Sequence, residues 1–332
     1  VCGISKKVSG NIITSAKKII LSKNFEGIVV KSTGSWYVVR EKSTGKQINC
    51  RIKGKFRIQG IKSTNPVCVG DRVLFIELLN EESGLIIEIM ERHNYIIRKA
   101  TKLSRLSHII AANIDQAILI VTLTHPRTST GFIDRFLVTA EAYHIPAVVV
   151  FNKIDLYNVE LQKQHDEVTR VYSRIGYPCI AVSALRGDNL AAVKKIMTDK
   201  VSLMAGHSGV GKSELINAIE PRLNLKTGDI SSYHRKGKHT TTFTEMLELS
   251  FGGYIIDTPG LKEFGLVDFK KEEVWERFPE MRELSPSCQY NNCTHIHEPG
   301  CAVKEALEKG NVSAFRYKNY LNILEDDEFR RR

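Results

Sequence analysis

The stretch "VSLMAGHSGVGKSELINAIE", Val201 to Glu220, constrains this chain more than any other. An apolar run ends in Gly206-His207-Ser208-Gly209-Val210-Gly211-Lys212-Ser213, and an amphipathic run follows. That is a strand, a G-x-x-x-x-G-K-[ST] loop and a helix in order. The glycines permit a loop whose N–H groups turn inward onto phosphate oxygens. The helix N-terminus adds the positive end of its dipole. Lys212 can reach the β- and γ-phosphates, and the Ser213 hydroxyl can ligate Mg²⁺. Such a loop requires an α/β sheet around it. The alternating runs from "QAILIVTL" to "GYIIDTPG" supply one, as a doubly wound sheet with helices on both faces.

The other nucleotide-reading candidates stand at further strand ends. Asn152-Lys153-Ile154-Asp155 follows "AVVVF". Asp155 can accept from both guanine N1–H and N2–H₂; adenine would leave it unpaired, at a cost of roughly 1–3 kcal/mol. Asn152 is expected to tie this loop to the phosphate loop, and the Lys153 stem to cover the base. Ser183 and Ala184, in "VSAL", end the next strand, where a backbone N–H can donate to guanine O6. Asp257-Thr258-Pro259-Gly260 is a D-x-x-G at another strand end. Asp257 can hold Mg²⁺ through water, and the Gly260 N–H can meet the γ-phosphate. In "HRKGKHTTTFTEM" a threonine, Thr241 of the three at 240–242, can close onto Mg²⁺.

These motifs belong at the carboxyl ends of the strands, where open α/β sheets bind ligands. Along the chain the base-reading loops precede the phosphate loop. The order is that of a GTPase domain opened after D-x-x-G and rejoined through the short "TDK" link at 198–200. Leu261 follows D-x-x-G, where many GTPases carry a water-orienting glutamine. His239, beside the threonines, is the candidate that replaces it. Lys212, Thr241 and His239 make up the candidate catalytic set.

The chain's 332 residues are 42% hydrophobic, enough for two or three domains. Its formal net charge is +11. Residues 1–108 hold 20 Lys/Arg and 8 Asp/Glu, whereas residues 109–332 hold 28 and 29. The excess positive charge therefore belongs to the first third, which favours a nucleic-acid partner. Residues 1–24 read as a flexible basic tail. Short alternating runs with glycine turns over 25–97 predict a five-stranded OB-type barrel, with Trp36, Tyr37 and Phe56 as base-stacking candidates. A basic connector covers 98–114, the GTPase domain 115–267 and a third unit 268–332. No apolar run approaches the ~18 residues of a membrane span, and the N-terminus has no secretory h-region.

Seven cysteines, three of them within 288–301, argue for a reduced compartment and a local metal site. Cys288-x₄-Cys293-x-His295-x₅-Cys301 offers three thiolates and one imidazole, a set that suits structural Zn²⁺. His297 competes as a ligand and reads as a bystander. The unit is small, so the metal is expected to fold it.

Together, the basic barrel, the motif order NKID, SAL, GHSGVGKS, GKHTTT, DTPG and the cysteine–histidine tail resemble the ribosome small-subunit-dependent GTPases, the RsgA/YjeQ family. The resemblance extends over nearly the whole chain from about residue 24. Two departures stand in the phosphate loop: His207 where the family commonly has Gln, and Glu214 where Ser is common. The resemblance implies a cytoplasmic, monomeric factor that acts late in 30S assembly, with the subunit and its 16S rRNA as partners. It implies GTP hydrolysis to GDP stimulated by that subunit, one structural zinc and Mg²⁺ with the nucleotide. His239 falls on the family's histidine of hydrolysis. Two other readings compete: a permuted GTPase of the large subunit, and an RNA-binding module gated by nucleotide whose hydrolysis is incidental.

Overall fold

The computed structural model describes residues 24–52, 66–78, 81–98, 108–225, 244–257 and 271–325. Its first unit is a barrel of β1 (Phe25–Ser32), β2 (Tyr37–Glu41), β3 (Gln47–Ile52), β4 (Arg72–Glu77) and β5 (Ser83–Ile89). β1 pairs with β2, β2 with β3, β3 with β5, β5 with β4, and β4 with β1 again. Only the β3–β5 pair is parallel among these. Closure removes the sheet edges that a five-stranded meander would leave open. Val29, Tyr37, Val39, Ile48, Cys50, Val73, Phe75 and Ile86 fill the interior, as the alternation of the strands predicts.

Tyr37, one of the stacking candidates, is therefore a core residue, 2% exposed, and presents no face to a base. It stands at an inward position of β2, where the pleat turns its ring away from solvent. Trp36 is half-buried, with the Arg51 guanidinium 4.0 Å from its ring centre. Phe56 and the tail at 1–23 lie outside the described residues.

Part of the 98–114 connector is strand: β7 (His108–Ala112) pairs antiparallel with β6 (Tyr95–Arg98). The ladder is tied to the barrel by Ala112 N–H donating to Val69 O (2.9 Å) and by Asn113 Nδ2 donating to Gly70 O (2.9 Å). Basic composition hid this strand, because the alternation of "HIIAAN" is short and follows a charged run.

The second unit is the α/β sheet. In chain order it contains β8 (Gln116–Val121), α1 (Thr130–Ala142), β9 (Ala147–Phe151), α2 (Val159–Arg174), β10 (Cys179–Ala181), α3 (Leu190–Met197), β11 (Val201–Ala205), α4 (Lys212–Ile219), β12 (Glu245–Glu248) and β13 (Tyr254–Asp257). The strand order is β10-β9-β8-β11-β13-β12. All pairs are parallel except β12–β13. Every residue of β8, β9 and β11 is buried, the mark of strands covered on both faces. α1 and α2 pack one face through Phe136, Leu137, Val168 and Tyr172. α3 and α4 pack the other through Val193, Met197, Leu215 and Ile216. The three-residue link between α3 and β11 is pinned by Val201 N–H to Asp115 Oδ2 (2.7 Å) and by Tyr254 N–H to Lys200 O (2.8 Å).

β12 also pairs with β1, so barrel and α/β sheet form one run of eleven strands. A bulge between Val29 and Lys31 makes this feasible. Before it, Phe25–Ile28 closes the barrel against β4; after it, Lys31 faces Glu245 of β12. Val29 accordingly lies in the barrel core and Val30 in the core of the α/β unit.

The third unit comprises a 3-10 turn (Lys271–Arg277), α5 (Pro279–Leu284), α6 (Ala302–Glu308) and α7 (Ala314–Glu325). Val274, Phe278, Met281, Val303, Tyr320 and Ile323 share a core with Val138 of α1. No helix among the described residues is long and apolar enough to cross a membrane.

Candidate functional site

The phosphate-loop stretch Gly206–Gly211 lies between β11 and α4, at the carboxyl edge of the sheet. Two of its glycines are obligatory. Gly206 has φ +146°, and a Cβ there would lie 2.3 Å from Ile120 O. Gly211 has φ +89°, and its Cβ would meet Asn152 Nδ2 at 2.4 Å. Backbone and Asn152 approach too closely for any side chain. Lys212 Nζ donates to the Gly206 and His207 carbonyls at 2.7 and 2.8 Å. Ser213 is buried in the first turn of α4, and Val210 is buried below the loop. Ser208 and Gly209 are exposed on its crest.

Asn152 joins three of the sequence motifs. Its Nδ2 donates to Val210 O (2.9 Å) in the phosphate loop, and its Oδ1 accepts the Ala184 N–H (3.0 Å). Lys153, in the left-handed region at φ 64°, donates from Nζ to Gly209 O (2.8 Å) and to His125 O (2.7 Å). Its stem therefore bridges base loop and phosphate loop. The Ser183 hydroxyl donates to Asp155 Oδ1 (2.5 Å) and accepts the Arg186 N–H (3.1 Å). This orients the carboxylate and leaves Oδ2 without a partner among the described residues. Asn152, Lys153, Asp155, Ser183, Ala184 and the loop from Gly206 to Ser213 thus form one cluster. Asp257 ends β13, one strand from the phosphate loop. Its side chain, together with His239, Thr241 and Gly260, lies outside the described residues.

Sequence reasoning missed a third wall. The turn from Thr122 to Thr128 lies against the phosphate loop, where a Cβ on Gly209 would be 3.4 Å from Pro126 Cδ. Thr128 N–H donates to Thr122 O (2.8 Å), and the Thr122 hydroxyl donates to Pro126 O. The His207 ring packs on Phe132 of α1, ring centres 3.8 Å apart. Partial burial and the nearby Lys212 hold the His207 imidazole below its ordinary pKa, hence neutral at neutral pH. The turn-forming run "THPRTST" between a strand and a helix was the available signal.

In the third unit, ligand atoms of Cys288, Cys293, His295 and Cys301 all lie within 4.8 Å of one another. His295 Nδ1 is 3.6 Å from Cys288 Sγ and 3.4 Å from Cys301 Sγ. Tetrahedral ligation with bonds of about 2.3 Å to sulfur and 2.0 Å to nitrogen requires roughly 3.5 Å between such atoms. The four residues can thus hold a metal ion. Burial pushes the Cys293 thiol up to about 12, so a thiolate there needs a cation beside it. His297 is exposed and outside the cluster. Tyr317 and Tyr320 fix the ligand loop by donating to His295 O (2.7 Å) and Thr294 O (2.6 Å). Trp275 stands edge-on to the His295 ring at 5.0 Å.

Family models match over two segments. Residues 26–86 match the RsgA N-terminal domain, and residues 89–267 match the RsgA GTPase. A small ribosomal subunit biogenesis GTPase RsgA of Phocaeicola vulgatus is 56% identical over 303 residues, 91% of this chain and 97% of that protein. Small ribosomal subunit biogenesis GTPase RsgA 2 of Bacteroides thetaiotaomicron is 55% identical over 304 residues, again 91% and 97%. The crystal structure of YjeQ from Thermotoga maritima superposes with a TM-score of 0.75 at 36% identity, covering 91% of this chain and 98% of that one. YloQ, described as a circularly permuted GTPase, superposes with 0.73 at 32% identity, covering 93% and 97%. With the motif order, the closed barrel and the loop geometry in agreement, this chain belongs to the RsgA GTPase family.

Proposed function

We propose that this GTPase binds the small ribosomal subunit and acts in its late maturation, hydrolysing GTP to GDP and phosphate under stimulation by the subunit. The observation that carries this reading is the 55–56% identity, over 91% of the chain, to proteins named small ribosomal subunit biogenesis GTPases. The matched length, 91% of this chain, extends beyond any single unit, which favours a common partner over a common chemistry alone. The surplus of positive charge in residues 1–108 supports contact with 16S rRNA through phosphates. We assign the barrel at 25–97 to that contact, 98–114 to the connection, 115–267 to hydrolysis and 268–332 to the metal unit. The protein is read as a cytoplasmic monomer.

In this reading Asp155 selects guanine and Lys153 covers the base. The N–H donors expected for guanine O6 are engaged within the protein, Ser183 N–H with Asp188 O (3.3 Å) and Ala184 N–H with Asn152 Oδ1 (3.0 Å), so this loop is assigned the fixing of Asp155 and Asn152. The phosphate loop and Lys212 hold the β- and γ-phosphates. Ser213, Thr241 and, through water, Asp257 would hold Mg²⁺, which would supply positive charge against the phosphates. Gly260 meets the γ-phosphate and His239 orients water. The four ligands of the cysteine cluster hold one structural zinc; with every position filled from protein, no site for catalytic water remains.

Steady-state GTP hydrolysis at fixed salt tests the reading, with no addition, with 30S subunits, with 50S subunits, and with ATP as control. Stimulation by 30S alone, with ATP inert, is expected. Absence of stimulation by 30S, or equal stimulation by 50S, refutes it. His239→Ala should keep GTP affinity within about twofold and lose at least about tenfold in turnover; unchanged turnover removes His239 from the mechanism.

A further inference from the structure

Strand β12 lies between the GTPase sheet and the barrel. One edge pairs with β13, Glu245 opposite Asp257 and Glu248 opposite Tyr254. The other edge meets β1, Lys31 opposite Glu245. The backbones of Lys31, Glu245 and Asp257 therefore form one row across three strands. Side chains reinforce the barrel edge. Lys31 Nζ is 3.0 Å from Glu245 Oε2, and Arg40 of β2 donates from its guanidinium to Glu248 Oε2. In the sequence, "GKHTTT" runs into β12 and "DTPG" begins with the last residue of β13. Both stretches expected to meet the γ-phosphate and Mg²⁺ are thus attached to this pair of strands.

We propose that Lys31 and Arg40 of the barrel are positioning residues for GTP hydrolysis, acting by holding β12. A strand of four residues with one neighbour is weakly held, and a second neighbour restrains it. The two ion pairs fasten that second edge at both ends of β12. Their side chains are 26–46% exposed, so each pair contributes little to the stability of the fold. What they restrain is the placement of the strand. The loops expected to hold the nucleotide hang on β9, β10 and β11, none of which pairs with β12. Loosening β12 should therefore lower the rate of hydrolysis and leave nucleotide affinity in place. This inference rests on the GTPase activity and on the γ-phosphate and Mg²⁺ roles proposed for the stretches 237–242 and 257–260, not on the ribosomal partner.

The test uses the full chain with Arg40→Glu, Glu248→Arg, Lys31→Glu and Glu245→Lys, singly and as the two swapped pairs. Single-turnover GTP hydrolysis and affinity for a fluorescent GDP analogue are measured at low ionic strength without ribosomal subunits. Each single change should slow hydrolysis about 3–10-fold, with GDP affinity kept within about twofold, and each swap should restore at least about half the rate. Singles that hydrolyse at the parent rate overturn the proposal, as do swaps no faster than their slower single. Arg40→Met, which keeps the stem and removes the charge, guards against misfolding of the reversal: it too should be slow with normal GDP affinity, and a parental rate would refute the role.

Discussion

The barrel and the third unit flank the same sheet, yet their polar contacts with it differ in kind. The barrel reaches β12 through ion pairs open to solvent. The third unit also has an exposed pair with α1, Arg282–Glu141 (3.1 Å), but adds a buried contact through Arg316, whose side chain is 1% exposed. Arg316 donates from Nε and Nη2 to Glu280 (2.7 and 2.9 Å) and from Nη1 to Asp134 Oδ1 (2.6 Å). Asp134 also accepts from the Tyr172 hydroxyl (2.7 Å) and from Asn319 Nδ2 (2.6 Å). Burial opposes the Arg316 charge, but Asp134 and Glu280 outweigh it and hold the guanidinium protonated. Such a network makes a joint with one geometry, because losing any member strands the others away from water. The exposed pairs can part and re-form at little cost. One attachment is built to stay and the other to give.

The largest effect should come from Arg316→Ala, which leaves the carboxylates of Asp134 and Glu280 buried without their cation. A loss of about 3–5 kcal/mol in denaturant unfolding is expected. Lys31→Ala should cost about 1 kcal/mol or less by the same measurement. Equal costs would abolish the contrast. Metal removal comes next. Chelation should release one metal ion per chain and expose the core around Phe278 and Tyr320, because the ligand loop is fastened to that core by Tyr317 and Tyr320. Hydrogen exchange should then quicken in α6 and α7 and stay unchanged in β2 and β3; uniform quickening would make the third unit inseparable from the rest. The smallest effect is that of salt. Raising ionic strength from about 0.1 to about 1 M shortens the screening length from roughly 10 to 3 Å. Exchange in β12 should rise about twofold while α7 holds, and a response in α7 alone would reverse the comparison.

Much of the candidate nucleotide site was legible because its chemistry is local. The glycines, Lys212 and Ser213 of the phosphate loop lie within eight residues of sequence. Asn152 and Asp155 are three residues apart at the end of an apolar run. The metal cluster was legible for the same reason, since few folds need that spacing of thiols and imidazole. The turn around His125 and the Phe132–His207 contact were not, because nothing local says which loop will lie beside another. Asp134 and Arg316 are 182 residues apart, and each reads as an ordinary charged position on an amphipathic helix. Tyr37 shows the opposite hazard, an aromatic in an alternating strand whose face only the closed barrel reveals.

The sequence by itself determined the α/β class, the order of the motifs, the place of the candidate phosphate loop and the four residues that could hold a metal, because each depends on residues close together in the chain. Only the tertiary structure decided that Asn152 spans phosphate and base loops, that β12 joins the barrel to the sheet, and that Arg316 locks the third unit onto α1. Those contacts join elements far apart in sequence. Their energies depend on burial and geometry, which a charge or a hydrogen-bonding group acquires only once the chain has folded around it.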